Sequence, residues 1–401
     1  MKLLVKKGKI NAEAKIACVF FVLFLGFIIF AVDYLIPSCI DRRIADLYCD
    51  HIFEWVALPS NILTGVFSTS ITEMLIVTAV LIGIFLLFYS IYRTIRYILG
   101  CGSSRYPARA FTFLVLVLLV TIFMSSAYNL MHGINFKRTP AYARLGISLD
   151  DDYSRSFQTY LAALNWAYMG MVQNREKLGV DYEGVAHLSS SFEQCVSDAN
   201  DLMDSFSYTY DLGMSKTFIR AKAVSLSRLW SSTHIVGMYD PFLGETNINT
   251  DYMDILDLPL SICHEIAHAK GYARESDANT IAALALIHSD RADFKYAGYY
   301  YIFNNLYPTV SRYASETGET IPNYFADRLC EGVINDMEAQ DRYWDYIESG
   351  YLAGTIEDIS EKVNNTFLEA NGQTGGTQTY HVPRNIFVEF YCLYVDGRTN
   401  G

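Results

Sequence analysis

No two cysteines in this chain are spaced C-x-x-C. The eight cysteines stand apart at 18, 39, 49, 101, 195, 263, 330 and 392, so neither a zinc ribbon nor a thioredoxin-like redox motif is indicated. Charge is sparse, at 18% of residues, and the net charge is -12. With no basic stripe, the electrostatic footprint of nucleic-acid binding is missing. There is no internal repeat and no low-complexity tract. Hydrophobic residues make up 51%, which excludes a disordered chain, and 401 residues leave room for two or three domains.

The apolar excess is concentrated in the first third. Segments 16–36, 74–91 and 111–130 have the length and composition of membrane helices. The first resembles a signal peptide only superficially, because its apolar run is long and no A-x-A site follows. Lys2, Lys6, Lys7, Lys9 and Lys15 precede it, and Arg93, Arg96, Arg105 and Arg109 lie between the second and third. The loop between the first two has Arg42 and Arg43 diluted by Asp41, Asp46, Asp50 and Glu54. This bias predicts a cytoplasmic N-terminus and, after three crossings, an outer domain from 131 onward. The expected division is therefore a membrane anchor, 1–130, and an extracytoplasmic domain, 131–401. No span carries a central ionisable residue of the kind that marks a transport path. Cys39 and Cys49, both in the first outer loop, have two readings: a bridge or free thiols.

Beyond 150 the apolar spacing is mainly helical, near 151–177, 189–208 and 215–232. Residues 234–239 and 245–249 read as short strands around a turn at 240–244. Helical pattern resumes near 258 and continues, with breaks, to about 369, and a last helix is expected at 383–395. The predicted fold is mainly α, three spans followed by a mostly helical domain with a small β-hairpin.

The chemistry is concentrated at His264-Glu265-Ile266-Ala267-His268. Two histidines four apart on a helix share a face, where both reach one metal ion. Glu265 projects from a neighbouring direction, suited to take a proton from a metal-activated water. The bare motif would arise by chance in about one chain per hundred of this histidine content, so context matters. Gly271 stops the helix, and Arg274-Glu275-Ser276-Asp277 opens the next. Folding back there would bring a third ligand, with Glu275 the first candidate and Asp277 the second. Three protein ligands leave an open position, the pattern of a catalytic zinc site. Cys263 points elsewhere on the helix and reads as a buried thiol.

At these residues the chain resembles the zincin metallopeptidases, and their glutamate-ligand branch in particular. The resemblance implies one zinc ion held by His264, His268 and Glu275, with Glu265 as general base. In that branch an acid four residues after the third ligand supports a metal-binding histidine. Here that position is Asn279, and Asp277 is the other candidate for the role. The chain also resembles a family of bacterial membrane proteins with three N-terminal spans and an HExxH domain. The likeness runs through Pro241-Phe242-Leu243-Gly244-Glu245-Thr246-Asn247-Ile248-Asn249, through 264–279, and through Phe367-Leu368-Glu369-Ala370-Asn371-Gly372-Gln373 and Thr379-Tyr380. No substrate comes with that likeness. Zincins hold substrate against an edge strand just before the HExxH helix, which here implies Gly244, Glu245, Thr246 and Asn247 as substrate-binding. Tyr380 is the implied oxyanion donor, with His381, Arg384 and His234 as weaker candidates.

The expected activity is therefore hydrolysis of a peptide or protein by a membrane-anchored zinc metallopeptidase. The alternative is a non-catalytic, membrane-anchored scaffold with a structural or vestigial metal site. An intramembrane protease is disfavoured, because Asp251, Asp254, Asp257, Lys270, Arg274 and Glu275 flank the motif and leave no spanning apolar run.

Overall fold

Leucine, isoleucine, valine and phenylalanine fill every turn of the three apolar stretches, so none has a polar face to turn toward water. The computed structural model describes residues 5–6, 9–10, 12–101, 106–149, 155–322, 325, 330–350, 361–362, 365–366, 369, 382–383 and 385–397. Its first half contains α1 (Ala12–Phe30), α2 (Arg42–His51), α3 (Phe53–Gly65), α4 (Ile71–Ile98) and α5 (Tyr106–Met131). Segments Ile16–Cys39, Ile71–Ile98 and Phe111–Met131 are long and apolar enough to cross a membrane, with mean hydropathies of 2.8, 2.6 and 2.2. Almost none of their residues is buried inside the protein. The first is prolonged by a wide turn at Ala31–Leu35 and a helical turn at Ile36–Cys39. Pro37 cannot donate to the ladder, which accounts for the widening just before it.

The connection between the first two spans is not a simple loop. Asp41 caps α2 by accepting from Ile44 N at 2.9 Å, and Ser70 caps α4 by accepting from Glu73 N at 2.9 Å. Between them α2 and α3 pack on the C-terminal part of the chain. Asp46 accepts from Thr139 N at 2.7 Å, Asp50 pairs with Arg144 at 2.7 Å, and Phe53 is fully buried. Residues 42–65 therefore pack with the residues beyond 131, across the expected domain boundary. Cys39 and Cys49 are both free, and Cys49 donates weakly to Asn135 Oδ1.

The domain core is built from α6 (Phe157–Arg175), α7 (Phe192–Tyr210), α8 (Leu258–Ala269), α9 (Glu275–His288), α10 (Ala292–Thr317), α11 (Glu331–Glu348) and the short α12 (Ile386–Phe390). Ser156 and Ser191 cap α6 and α7 by accepting from the amides three residues on. α8 lies at the centre and is buried along nearly its whole length, with α9, α7 and α10 against it. A three-stranded sheet flanks it, made of β1 (Lys222–Ala223), β2 (Gly237–Asp240) and β3 (Glu245–Ile248) in the order β1-β3-β2. β2 and β3 form the expected hairpin, in the register Asp240↔Glu245 to Gly237↔Ile248. β1 runs parallel to β3.

The helix expected at 215–232 is not present. That stretch is loop, then β1, then a short helix at Ser227–Ser231. Burial alternates there, with Ile219 and Ala221 inside and Phe218 and Arg220 outside. This is the period of a half-buried strand, and it was masked by apolar residues that also fit helical spacing.

Candidate metal centre

Four-residue spacing on α8 brings His264 Nε2 and His268 Nε2 within 3.0 Å of each other. The chain then reverses at Gly271, whose φ of +105° is strained for any side chain. A Cβ there would also sit 3.2 Å from the Phe53 ring and 3.3 Å from the Arg138 guanidinium. The reversal starts α9 at Glu275, whose Oε2 lies 3.1 Å from His264 Nε2 and 3.3 Å from His268 Nε2. One turn further along α9, Asn279 Oδ1 meets His264 Nδ1 at 2.7 Å. The Tyr272 carbonyl meets His268 Nδ1 at 2.6 Å.

These outer partners fix the tautomers. A carbonyl oxygen only accepts, so each Nδ1 carries the proton and each neutral ring directs the Nε2 lone pair inward. Two imidazole lone pairs and a carboxylate oxygen thus converge on one point, buried, with nothing between them to donate. His264, His268 and Glu275 are a donor set that fits a divalent cation. Without a cation a proton must serve. Burial alone would depress His268, but the Glu275 carboxylate overrides it and lifts that histidine to about 9. Burial likewise opposes ionisation of Glu275, yet His268 and His264 hold its carboxyl well below the usual range.

Glu265 is buried beside this cluster and is not part of it. Burial raises its pKa, with His264 and His268 opposing. Its Oε2 has no hydrogen-bond partner among the described residues. Its other oxygen nestles against β2, and a Cβ on Gly237 would meet Glu265 Oε1 at 2.6 Å. The Tyr239 backbone N–H bonds to the same carboxylate. An unpaired buried carboxylate oxygen next to three converging donors is poised to act as a base toward anything held there.

The structure separates the two ligand candidates. Asp277 faces away, accepting from Ala141 N at 2.9 Å and from Arg274 Nε at 2.8 Å. It ties the segment after α5 to the start of α9. Arg138, fully buried, serves the same junction by donating to Gly271 O and Leu212 O, both at 2.8 Å. Its positive charge is therefore spent inside the domain. Cys263 turns into the apolar core, where burial pushes its thiol up.

The expected substrate strand is corrected by the sheet order. Gly244 lies in the turn, and Glu245, Thr246 and Asn247 lie in β3, the central strand, which is buried, paired with β2 along its length and with β1 at Asn247 and Ile248. β3 is an inner strand and not the open edge that was expected. Glu245 instead caps α4, accepting from Thr72 N at 2.7 Å and Ile71 N at 3.1 Å, and pairs with the buried Lys222. The strand beside Glu265 is β2. His234 stacks on Trp344 with ring centres 4.9 Å apart, in a different contact from the cluster. Tyr380, His381, Arg384 and the 370–380 part of the late motif lie outside the described residues.

The sequence reading missed His132. It stands one residue past α5, is buried, and its ring centre is 5.9 Å from that of His268 and 5.6 Å from that of Tyr239. Burial first, and the neighbouring His268 second, hold it neutral, down to about 3. A histidine directly after an apolar span was the only available signal.

A family model described as a protein of unknown function (DUF3810) matches residues 48–384, and the chain belongs to that family. The match takes in α3, the second and third spans and the whole cluster. No curated protein and no solved structure matches the chain.

Proposed function

We propose that this DUF3810 member is a membrane-anchored zinc metallopeptidase with His264, His268 and Glu275 as its metal ligands. The observation that carries the reading is the convergence of three buried electron-pair donors beside Glu265 Oε2, which has no hydrogen-bond partner among the described residues. Zinc at such a site supplies Lewis acidity and lowers the pKa of a water to about 7. Glu265 takes the proton from the attacking water at Oε2 and delivers it to the leaving amine. Burial, which raises its pKa, suits it to both halves of that transfer. Asn279 and the Tyr272 carbonyl hold the histidine tautomers through Nδ1. β2, with its outer side along Glu265, is the strand on which an extended peptide would lie. The lysine and arginine bias orients the N-terminus to the cytoplasm and the domain outside a bacterial cell membrane.

The test is Glu265→Gln in the purified full chain. It should keep one zinc per chain and lose hydrolysis of a peptide library. Turnover equal to wild type would overturn the assignment of the base. A second reading, a scaffold with a structural metal, is favoured by one observation: none of the four residues is more than 9% exposed. Zinc retained with no cleavage of any peptide by the wild-type chain would decide for the scaffold.

A further inference from the structure

The stretch between the first two spans holds an apolar surface that the metal centre does not use. Ile52, Trp55, Ile62, Leu63, Val66 and Phe67 are all exposed, Trp55 by 72% and Val66 by 73%. Their spacing places the first five on one stripe of α3 and its two cap residues, Ile52 and Val66. The opposite stripe, Phe53, Ala57 and Thr64, is buried on the domain. Glu54 is the only charged residue from 52 to 67. A contiguous exposed patch of this kind marks a membrane or partner surface. Here continuity decides which, because only residues 66–70 separate α3 from α4, an apolar span, and α2 alone stands between α3 and the end of another. Both its ends lie between two consecutive spans, so they fall at one face of any bilayer that those spans cross.

The same helix is fastened to the metal centre. Phe53 packs against Gly271, three residues after His268, so the end of the HExxH helix lies about one helix diameter, roughly 10 Å, from the apolar stripe. A second measure agrees. His132 directly follows the third span and touches His268 through its ring. The Tyr128 ring, 5.8 Å from that of His132, lines a cavity of about 290 Å³ between the first and third spans. The junction is rigid, since Glu245 caps the first turn of α4 and Glu73 of α4 accepts from Ser225 N and Leu226 N at 2.8 and 2.7 Å.

We propose that α3 lies in the membrane interface and holds the metal centre at the bilayer surface, so that the substrate is a membrane-tethered polypeptide cut close to its anchor. This rests on the peptidase reading. An extended chain covers about 3.3–3.6 Å per residue, so bonds about three to eight residues from the anchor reach the site.

The test uses the full chain in proteoliposomes and a randomised decapeptide pool. One portion is coupled directly to a maleimide-headgroup lipid, one through a spacer of about 25 glycine and serine residues, and one is left free. The directly coupled pool should be cut at least ten-fold faster than the free pool, within eight residues of the tether. Cleavage of only the free and long-spacer pools would overturn the proposal and leave the peptidase reading standing. No cleavage of any pool, with wild type and Glu265→Gln alike, would overturn both. A second arm is independent of activity. Trp55 is the only tryptophan before 166. Lipids brominated near the headgroup should quench the wild-type emission, and Trp55→Phe should remove most of that quenching. Equal quenching in both proteins, or none in either, would place α3 outside the bilayer and refute the proposal.

Discussion

Asn279 offers the sharpest test of how the centre is held. Its Oδ1 accepts from His264 Nδ1 at 2.7 Å in a site where Asn279 is itself 8% exposed, so water cannot easily replace it. Asn279→Ala removes the acceptor that fixes the His264 tautomer and ring orientation. Loss of such an outer partner costs about 10- to 100-fold in metal affinity, or about 1.4 to 2.7 kcal/mol. Asn279→Asp keeps an acceptor and adds charge, which makes the imidazole a better donor, so its affinity should equal or exceed wild type. The assay is competition for zinc with a chelator of known affinity, with the Tm of each metal-free protein recorded beside it. An alanine variant that binds zinc as tightly as wild type, with an unchanged Tm, would refute the tautomer reasoning. A variant whose affinity falls only in step with its stability would show a packing role instead.

Three further outcomes are expected. In the metal-free protein the His268 pKa is raised to about 9 from about 6.5. Its contribution to stability is therefore full below about pH 6.5 and lost as pH rises through 9, so the Tm in EDTA should fall across that window. A flat profile there would show that His268 and Glu275 do not interact as described. Gly237→Ala forces Glu265 off β2 and should leave zinc content unchanged while lowering kcat about 100-fold; unchanged kcat would remove Glu265 from the chemistry. Lys222→Met leaves the buried Glu245 without its cation, at a cost of about 3–5 kcal/mol. Denaturant melts should show that loss, and Lys222→Met with Glu245→Gln should recover part of it.

Local features were legible and tertiary ones were not. The i, i+4 pair on α8, the break at Gly271 and the carboxylate that follows are all set within twelve residues, so the cluster could be read from spacing. The three spans were readable for the same reason, because composition alone distinguishes them. Strand order was not readable. Glu245 looked like a polar residue on an open strand, and only the distant Lys222 and the start of α4 reveal it as a buried cap. β1 was hidden because it is only two residues long and lies inside a segment whose apolar spacing also fits a helix. Asp277 and Glu275 are alike by sequence, and a long-range bond to Ala141 N separates them. His132 reaches His268 across more than a hundred residues of chain, a distance that spacing cannot report. The role of α3 emerges only once one of its faces is seen to be covered and the other bare.

X-ray absorption at the zinc edge, on the full chain loaded with one equivalent of zinc, tests the centre most directly. Nitrogen and oxygen neighbours only are expected, with imidazole scattering from two histidines at about 2.0–2.1 Å, and a weaker imidazole signal in His268→Ala. A sulfur shell at about 2.3 Å, or an unchanged spectrum in His268→Ala, would contradict this ligand set.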